Sequence, residues 1–134
     1  MPSAMLDADL DNFESVLSTA EAQGSGPLFL LFLANRDPAI GHSWCPDCVR
    51  AEPVIYKTLE NSNKQTTLLR AYVGDRPTWR NPAHPWRLDK RFGLKGVPTL
   101  ILWRNGIVAG RLEDYEAHLE DRVRKLLEMA TSDM

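Results

Sequence analysis

The stretch SWCPDCVRAEP, residues 43–53, decides the fold of this chain because it places two cysteines one helical turn apart. An apolar run, LFLLFLA at residues 28–34, precedes it, and apolar residues at helical spacing follow it up to residue 59. A buried strand, a C-x-x-C motif and a helix, in that order, are typical of a redox-active dithiol. We therefore predict a thiol–disulfide exchange site at Cys45 and Cys48.

The two thiols are expected to have different roles. If the helix begins near Cys45, that thiol lies against unpaired backbone N–H groups and the positive end of the helix dipole, which favour the thiolate. Pro46 suits the first helical turn, where its missing N–H costs nothing. Cys48 lies within the Cα separation of roughly 4.4–6.8 Å that a disulfide requires. We expect Cys45 to attack a substrate disulfide and Cys48 to resolve the mixed disulfide.

Three other interpretations of the cysteine pair remain open, of which the least favoured is that the two are buried cysteines with a coincidental spacing. His42, Cys45, Cys48 and His84 could form a zinc site, although a second closely spaced pair of ligands is missing. An inert structural disulfide is another alternative, and such bonds are rare in a reducing cytosol. Thiol–disulfide exchange is the interpretation that we favour.

The rest of the sequence predicts a single α/β layered domain over residues 1–134. We expect a first helix at residues 10–20, capped by Asp7 or Asp9 and stopped by residues 24–27. The strand at 28–34 and a polar loop at 35–43 follow, and the helix after the cysteine motif should be kinked at Pro53. We then expect a strand at 67–73, a loop at 76–85 and a short helix at 85–92 stopped by Gly93. A hairpin should follow, with strands 100–103 and 107–109 around Asn105-Gly106. The last helix should carry on its apolar side Leu112, Tyr115, Leu119, Val123, Leu126 and Leu127.

Composition excludes several classes of function. The 134 residues are 43% hydrophobic and 25% charged, as in soluble globular domains. Sixteen basic and eighteen acidic residues give a net charge of −2, so we expect neither nucleic acid nor membrane as a partner. The seven-residue apolar run is far shorter than the roughly 20 residues of a membrane-spanning helix. Neither terminus resembles a targeting or lipidation signal, which predicts a cytoplasmic location.

Several motifs resemble those of the thioredoxin superfamily. They are WCPDC at residues 44–48, Pro53 five residues after the second cysteine, and GVPT at residues 96–99 before a strand and a hairpin turn. Residues 43–53 and 72–79 resemble more closely the Clot-type thioredoxin-like proteins, a cytosolic thioredoxin-related family, and the plant members in particular. The resemblance spans nearly the whole chain.

The resemblance implies a thioredoxin fold, in which helices flank a central mixed β-sheet and a cis Pro98 lies beside the dithiol. It implies that Pro98 docks the substrate backbone. It also implies a disulfide reductase without bound cofactor, which receives electrons from NADPH through thioredoxin reductase. The substrates implied are small disulfides such as cystine and selected protein disulfides, and some members are credited with weak peroxidase activity. Nothing in the sequence requires more than a monomer.

Two departures from thioredoxin concern proton transfer. Leu31 occupies the position at which thioredoxin has a buried, proton-relaying aspartate, and Asp47 stands between the cysteines. We hypothesise that Asp47 takes over part of the proton transfer to or from Cys48. Its charge should also raise the cost of forming a nearby thiolate. The alternative is that Asp47 is a solvated residue favoured by the helix dipole.

The loops at residues 35–43 and 76–85 are long, and in the resembled fold both border the dithiol. Residues 76–95 form a basic segment, with six basic residues against one acidic residue, for a local charge of +5. We hypothesise that this segment favours small or acidic disulfides. The candidate substrate-binding residues are Trp44, Pro46, Val97, Trp79, Arg76 and Arg80. The alternative is an ordinary solvated surface in which Trp79 and Trp86 are packing anchors.

Two competing functions remain at this stage. A glutathione-dependent, glutaredoxin-like activity is suggested because Cys-Pro-x-Cys also resembles the motif of that family. Trp44, Asp47 and the lack of a later Gly-Gly pair argue against it. The other candidate is a redox-sensitive adaptor of thioredoxin fold that docks a partner through the dithiol face.

Overall fold

A computed structural model describes residues 4–24 and 26–132 of the chain. Residues 1–3, 25 and 133–134 fall outside this range, so parts of the terminal-signal prediction and one residue of the predicted stop at 24–27 lie outside the described residues. Among those described, no helix has the length and apolar character needed to span a bilayer.

The described chain contains seven strands and five helices. The strands are β1 Ala4–Ala8, β2 Leu28–Leu33, β3 Arg36–Asp37, β4 His42–Ser43, β5 Thr67–Tyr72, β6 Thr99–Arg104 and β7 Ile107–Leu112. The helices are α1 Phe13–Gln23, α2 Pro46–Glu60, α3 Arg76–Arg80, α4 Pro85–Leu88 and α5 Glu120–Ser132.

Five strands form a mixed sheet in the order β1-β5-β2-β6-β7. β1 and β2 run parallel to β5, whereas β6 runs antiparallel to β2 and to β7. Every residue of β2 is buried, which explains why this central strand is apolar on both faces. The prediction of a central mixed sheet flanked by helices, the thioredoxin fold, is confirmed.

Helices cover both faces of the sheet. Phe13 of α1 lies 6.0 Å from the ring of Phe32 in β2, and both rings contact Trp86 at 5.1–5.2 Å. Trp86 is buried, as expected of a packing anchor. Tyr56 of α2 contacts Arg70 of β5 on the opposite face, and α5 packs beside α2. The dithiol helix therefore lies on the face opposite this aromatic cluster.

The N-terminal prediction was wrong about the start and the cap of the first helix, because α1 begins at Phe13 and not at residue 10. The segment before α1 forms the edge strand β1, where Asp7 pairs with Arg70 across the sheet. Asn12, and neither Asp7 nor Asp9, occupies the N-cap position of α1. Asp9 instead accepts hydrogen bonds from the N–H groups of Asp11 and Asn12 in the preceding turn.

Two predicted loops contain regular structure. Residues 35–43 form the short antiparallel ribbon of β3 and β4, and residues 76–85 contain α3. Asp75 caps α3 by accepting the N–H of Thr78 at 3.0 Å. Regular structure therefore occurs in both segments, the ribbon before the cysteine motif in the chain and α3 after it.

The C-terminal half follows the prediction in part. Asn105 and Gly106 adopt left-handed φ angles of 56° and 77°, as a two-residue hairpin turn requires, which confirms the predicted hairpin. α4 ends earlier than predicted, at Leu88, and α5 begins only at Glu120. Of the six residues expected on the apolar side of the last helix, Leu112 belongs to β7, Tyr115 and Leu119 are exposed, and Val123, Leu126 and Leu127 are buried.

Candidate active site

The dithiol lies where the chain passes from the β3–β4 ribbon into α2. Pro46 is the first residue of α2, and Cys45 is its N-cap, as predicted. The Sγ atom of Cys45 accepts the backbone N–H of Cys48 at 3.1 Å. Ser43 at the end of the ribbon accepts the N–H of Cys45 at 3.1 Å and so holds the cap in place.

The loop before β6 closes over the dithiol. Both thiols are unpaired and buried, with Cys45 5% exposed and Cys48 completely covered. The thiol of Cys45 donates to the carbonyl oxygen of Val97 at a sulfur–oxygen distance of 3.5 Å. The Val97–Pro98 peptide bond is cis, which confirms that prediction. The structure thus brings together Cys45, Cys48, Val97 and Pro98.

The environment separates the acidities of the two thiols. A hydrogen bond from the thiol of Cys48 lowers the pKa of Cys45, and the backbone N–H of Cys48 adds to this effect against burial and the charge of Asp47. The same thiol–thiol hydrogen bond and burial raise the pKa of Cys48 strongly. Of the two thiols, Cys45 therefore gives up its proton more readily than Cys48.

Asp47 points away from the buried thiols. Its carboxylate is half-exposed and forms an ion pair with Arg50 on the next helical turn. Sequence reasoning did not single out Arg50, although an Asp–Arg pair at i,i+3 on a helix was a readable signal. The charge of Asp47 opposes the thiolate of Cys45, which agrees with the electrostatic part of our hypothesis.

Trp44 and Arg76 form the side of the site next to Cys45. The indole Nε1 of Trp44 donates to the carbonyl oxygen of Gly74 at 3.2 Å. The guanidinium of Arg76 lies 5.3 Å from the indole ring and donates to the carbonyl oxygen of Trp44 at 3.0 Å. The structure therefore unites two of the predicted substrate-binding residues.

A pocket of about 440 Å³ opens beside this pair. Its lining residues come from the ribbon segment, Trp44 and the start of α3, and they are Arg36, Asp37, Pro38, Ile40, Trp44, Asp75, Arg76 and Pro77. The pocket carries two arginines and two aspartates next to an aromatic and aliphatic wall. Arg36 and Asp37 escaped sequence reasoning because residues 35–43 were interpreted as an irregular loop.

The remaining predicted substrate-binding residues lie elsewhere. Pro46 is exposed at the start of α2. Trp79 is buried, its face is covered by the guanidinium of Arg87 at 3.7 Å, and it contacts the ring of His84 edge-on. This placement fits the alternative of a packing anchor. Arg80 is exposed at the end of α3.

The basic segment is partly neutralised within the fold. Arg91 forms ion pairs with Glu14 and Asp89, and Arg87 donates to the carbonyl oxygen of Trp79 at 3.0 Å. These two arginines therefore stabilise the fold rather than forming an open cationic rim.

The four ligands considered for zinc do not converge. Nε2 of His84 bonds to the carbonyl oxygen of Val73 at 2.8 Å, and Nδ1 accepts the N–H of Trp86 at 3.1 Å, so both ring nitrogens are occupied. Across residues 4–24 and 26–132, no three His, Cys, Asp or Glu side chains are grouped to hold a metal ion.

Solved structures share this architecture. A mutant thioredoxin from Halobacterium salinarum superposes with a TM-score of 0.64 at 20% identity, covering 97% of this chain and 93% of that one. Thioredoxin f from spinach chloroplast gives a TM-score of 0.63 at 18% identity, covering 96% and 87%. At these identities the likeness shows the thioredoxin fold.

Sequence comparisons identify the family. The chain is 56% identical to the thioredoxin-like protein Clot of Arabidopsis thaliana, over 94% of this chain and 96% of that protein. It is 52% identical to the Clot protein of Oryza sativa subsp. japonica, over 92% of each. Human thioredoxin domain-containing protein 17 is 33% identical, over 71% and 75%. These relatives support a general thiol oxidoreductase role. Because the family model "Thioredoxin domain-containing protein 17-like, thioredoxin domain" matches residues 8–129, the chain belongs to that thioredoxin family.

Proposed function

We propose that this protein is a disulfide reductase that cycles Cys45 and Cys48 between dithiol and disulfide. The observation that carries this proposal is the pairing of the two thiols at the start of α2, where Sγ of Cys45 accepts the backbone N–H of Cys48 at 3.1 Å. A hydrogen bond from the Cys48 thiol further lowers the pKa of Cys45 and raises that of Cys48. A thiol pair without this asymmetry would have no preferred nucleophile.

The reaction proceeds in two exchanges. The thiolate of Cys45 attacks one sulfur of the substrate disulfide, the substrate S–S bond breaks, and the first product leaves as a thiolate. Cys48 then loses its proton and attacks Sγ of Cys45, which releases the second product and leaves the Cys45–Cys48 disulfide. Two electrons pass from the protein to the substrate. The carbonyl oxygen of Val97 lies beside Cys45 and would accept a hydrogen bond from the backbone of a protein substrate.

Electrons return to the dithiol from NADPH through thioredoxin reductase, and the protein itself binds no cofactor in this proposal. The substrates are small disulfides such as cystine and selected protein disulfides. Support for cystine comes from the pocket beside Trp44, because its arginines and aspartates complement the carboxylate and ammonium groups of an amino acid.

The proposal includes further properties carried by the family resemblance. The domain acts as a monomer in the cytoplasm. A weak peroxidase activity is included because a reactive thiolate attacks a peroxide oxygen as well as a disulfide sulfur.

The test measures NADPH consumption in a mixture of thioredoxin reductase, this protein and cystine. We expect turnover with the wild type, none with Cys45→Ser, and accumulation of a mixed disulfide on Cys45 with Cys48→Ser. A parallel reaction supplies glutathione and glutathione reductase instead. Turnover only in that second mixture would replace the proposal with a glutaredoxin-like activity, and turnover in neither mixture would favour the adaptor role.

A further inference from the structure

The sheet face beneath α2 carries a row of in-register side chains that the exchange reaction above does not use. Asp7 of β1 and Leu31 of β2 are both register partners of Arg70 in β5. Register partners on adjacent strands point to the same face of a sheet. Leu31, where thioredoxin has its proton-relaying aspartate, is a fully buried apolar side chain and cannot accept a proton.

A carboxylate reaches the same region from α2. Cys48, Glu52 and Tyr56 follow one another at intervals of four residues, which places them on one helical face with neighbouring Cβ atoms about 5–6 Å apart. Glu52 is half-buried, and Tyr56 donates its hydroxyl hydrogen to Oε1 of Glu52 at 2.7 Å. Glu52 is therefore held one turn beyond the resolving thiol.

The hydrogen-bonded chain continues to the sheet edge. Arg70 donates from one guanidinium nitrogen to the hydroxyl of Tyr56 at 3.1 Å. It donates from two others to the carboxylate of Asp7 at 2.6 and 2.8 Å. Asp7 of β1 holds the guanidinium of Arg70 in β5, and Arg70 in turn polarises the hydroxyl of Tyr56. This hydroxyl orients the carboxylate of Glu52, so groups from three elements contribute to its position.

Several titratable groups surround Glu52. Cys48 and Tyr56 lie on its own helix, Arg70 and Tyr72 face it from β5, and Asp7 faces Arg70 from β1. The charge of Glu52 contributes to the raised pKa of Cys48, after the hydrogen bond to Cys45 and burial. It also contributes to the raised pKa of Tyr56 and Tyr72, in both cases chiefly the result of burial. Glu52 is thus close enough to interact with the resolving thiol.

Asp47 is less well placed for this role. Its carboxylate is paired with Arg50 near the helix surface, and its charge acts on the outer thiol, Cys45. Of the two carboxylates, Glu52 is therefore the one that lies next to the resolving thiol on the helix.

We propose that Glu52 is the residue that exchanges a proton with Sγ of Cys48, in place of the aspartate that Leu31 replaces. This inference rests on the disulfide reductase function proposed above. In the second exchange, the S–H bond of Cys48 breaks and the proton passes to the carboxylate of Glu52. The Cys48 thiolate forms the bond to Sγ of Cys45, and the substrate thiolate leaves with its electron pair. Glu52 then returns the proton to the departing thiolate or to water.

The experiment follows both exchanges in one stopped-flow trace. Reduced protein is mixed with excess 5,5′-dithiobis(2-nitrobenzoate), whose thiolate product is coloured. The first equivalent of product reports attack by Cys45 and depends on reagent concentration. The second reports resolution by Cys48, is independent of reagent concentration, and is absent in Cys48→Ser. The variants are Glu52→Gln, which keeps an oxygen that can accept from Tyr56, and Tyr56→Phe, with Glu128→Gln on α5 as a matched control.

We expect Glu52→Gln to slow the second phase by about tenfold or more at neutral pH, with the first phase within about twofold of wild type. The difference between the second-phase rates of wild type and Glu52→Gln should shrink as the pH rises, because hydroxide then removes the proton of Cys48. Tyr56→Phe should give a smaller deficit with the same pH dependence. A pH profile of the second phase in Glu52→Gln equal to that of wild type would overturn the inference. Absence of the second phase in wild type would instead refute the proposed reductase.

Discussion

Arg76 offers the most direct test of how the site selects a substrate. Its guanidinium covers the indole of Trp44 at 5.3 Å and donates to the Trp44 carbonyl at 3.0 Å, and Arg76 lines the pocket beside Trp44. Replacing Arg76 with glutamine removes the charge and the stacking contact and leaves a side chain that can still donate one hydrogen bond. We expect weaker binding of cystine with little change in the exchange chemistry.

The magnitude follows from the contacts that are lost. A cation over an aromatic ring at an exposed site contributes about 0.5–1 kcal/mol. An exposed charge pairing with a substrate carboxylate contributes about as much, after screening by solvent. We take about 1 kcal/mol as the net loss, which corresponds to about a fivefold increase in KM for cystine. The kcat should stay within about twofold, because Cys45 and Cys48 keep their hydrogen bond.

The assay is steady-state NADPH oxidation with thioredoxin reductase, run with cystine and with the uncharged bis(2-hydroxyethyl) disulfide. Lys64→Gln serves as the matched control, because it removes one positive charge from an exposed loop away from the pocket. An unchanged KM for cystine in Arg76→Gln would refute the reasoning. An equal increase for both disulfides would show that Arg76 acts by positioning Trp44 and not by its charge.

Three further predictions concern the site and the fold. Asp47→Asn should lower the pKa of Cys45, because a charge that opposes the thiolate is removed. Alkylation of Cys45 by iodoacetamide should then be faster below neutral pH, and an unchanged pH profile of the alkylation rate would contradict this. Burial lowers the pKa of His84 in the folded protein, so the unfolded chain binds the proton more readily. The free energy of unfolding should therefore fall as the pH drops through about 6.5, and urea titrations of His84→Gln should show a weaker fall. Gly26→Ala should lower the unfolding free energy more than Gly24→Ala, because a Cβ at residue 26 would lie 2.0 Å from a backbone oxygen whereas the space at residue 24 is open. The left-handed backbone alone costs about 1–2 kcal/mol at either position. Equal losses in the two variants would therefore count against that contact.

Local physics explains why parts of this molecule were readable from sequence. The run at residues 28–34 is apolar on both faces, and only a central strand covered by helices on both sides buries such a run. Asn105-Gly106 tolerates the left-handed backbone of a tight hairpin. The spacing of Cys45, Pro46 and Cys48 indicates a helix N-terminus with a thiol at the N-cap.

Other elements depend on partners distant in sequence. β1 is a short edge strand whose register with β5 defines it, and its own five residues carry little strand signal. The β3–β4 ribbon has two residues in each strand, so periodicity could not reveal it. The pocket beside Trp44 exists only because this ribbon and α3 meet there.

The amino-acid sequence by itself determined the dithiol, the helix N-terminus on which it lies and the class of fold, because these depend on spacing within a few residues and on hydrophobic pattern. The tertiary structure alone decided in which direction the two nearby carboxylates point. Asp47 is adjacent to both cysteines in sequence but points toward Arg50 at the surface, whereas Glu52 faces inward through the rotation of α2. Helical rotation and the register of Arg70 with Leu31 set these directions, and both result from packing α2 against the sheet.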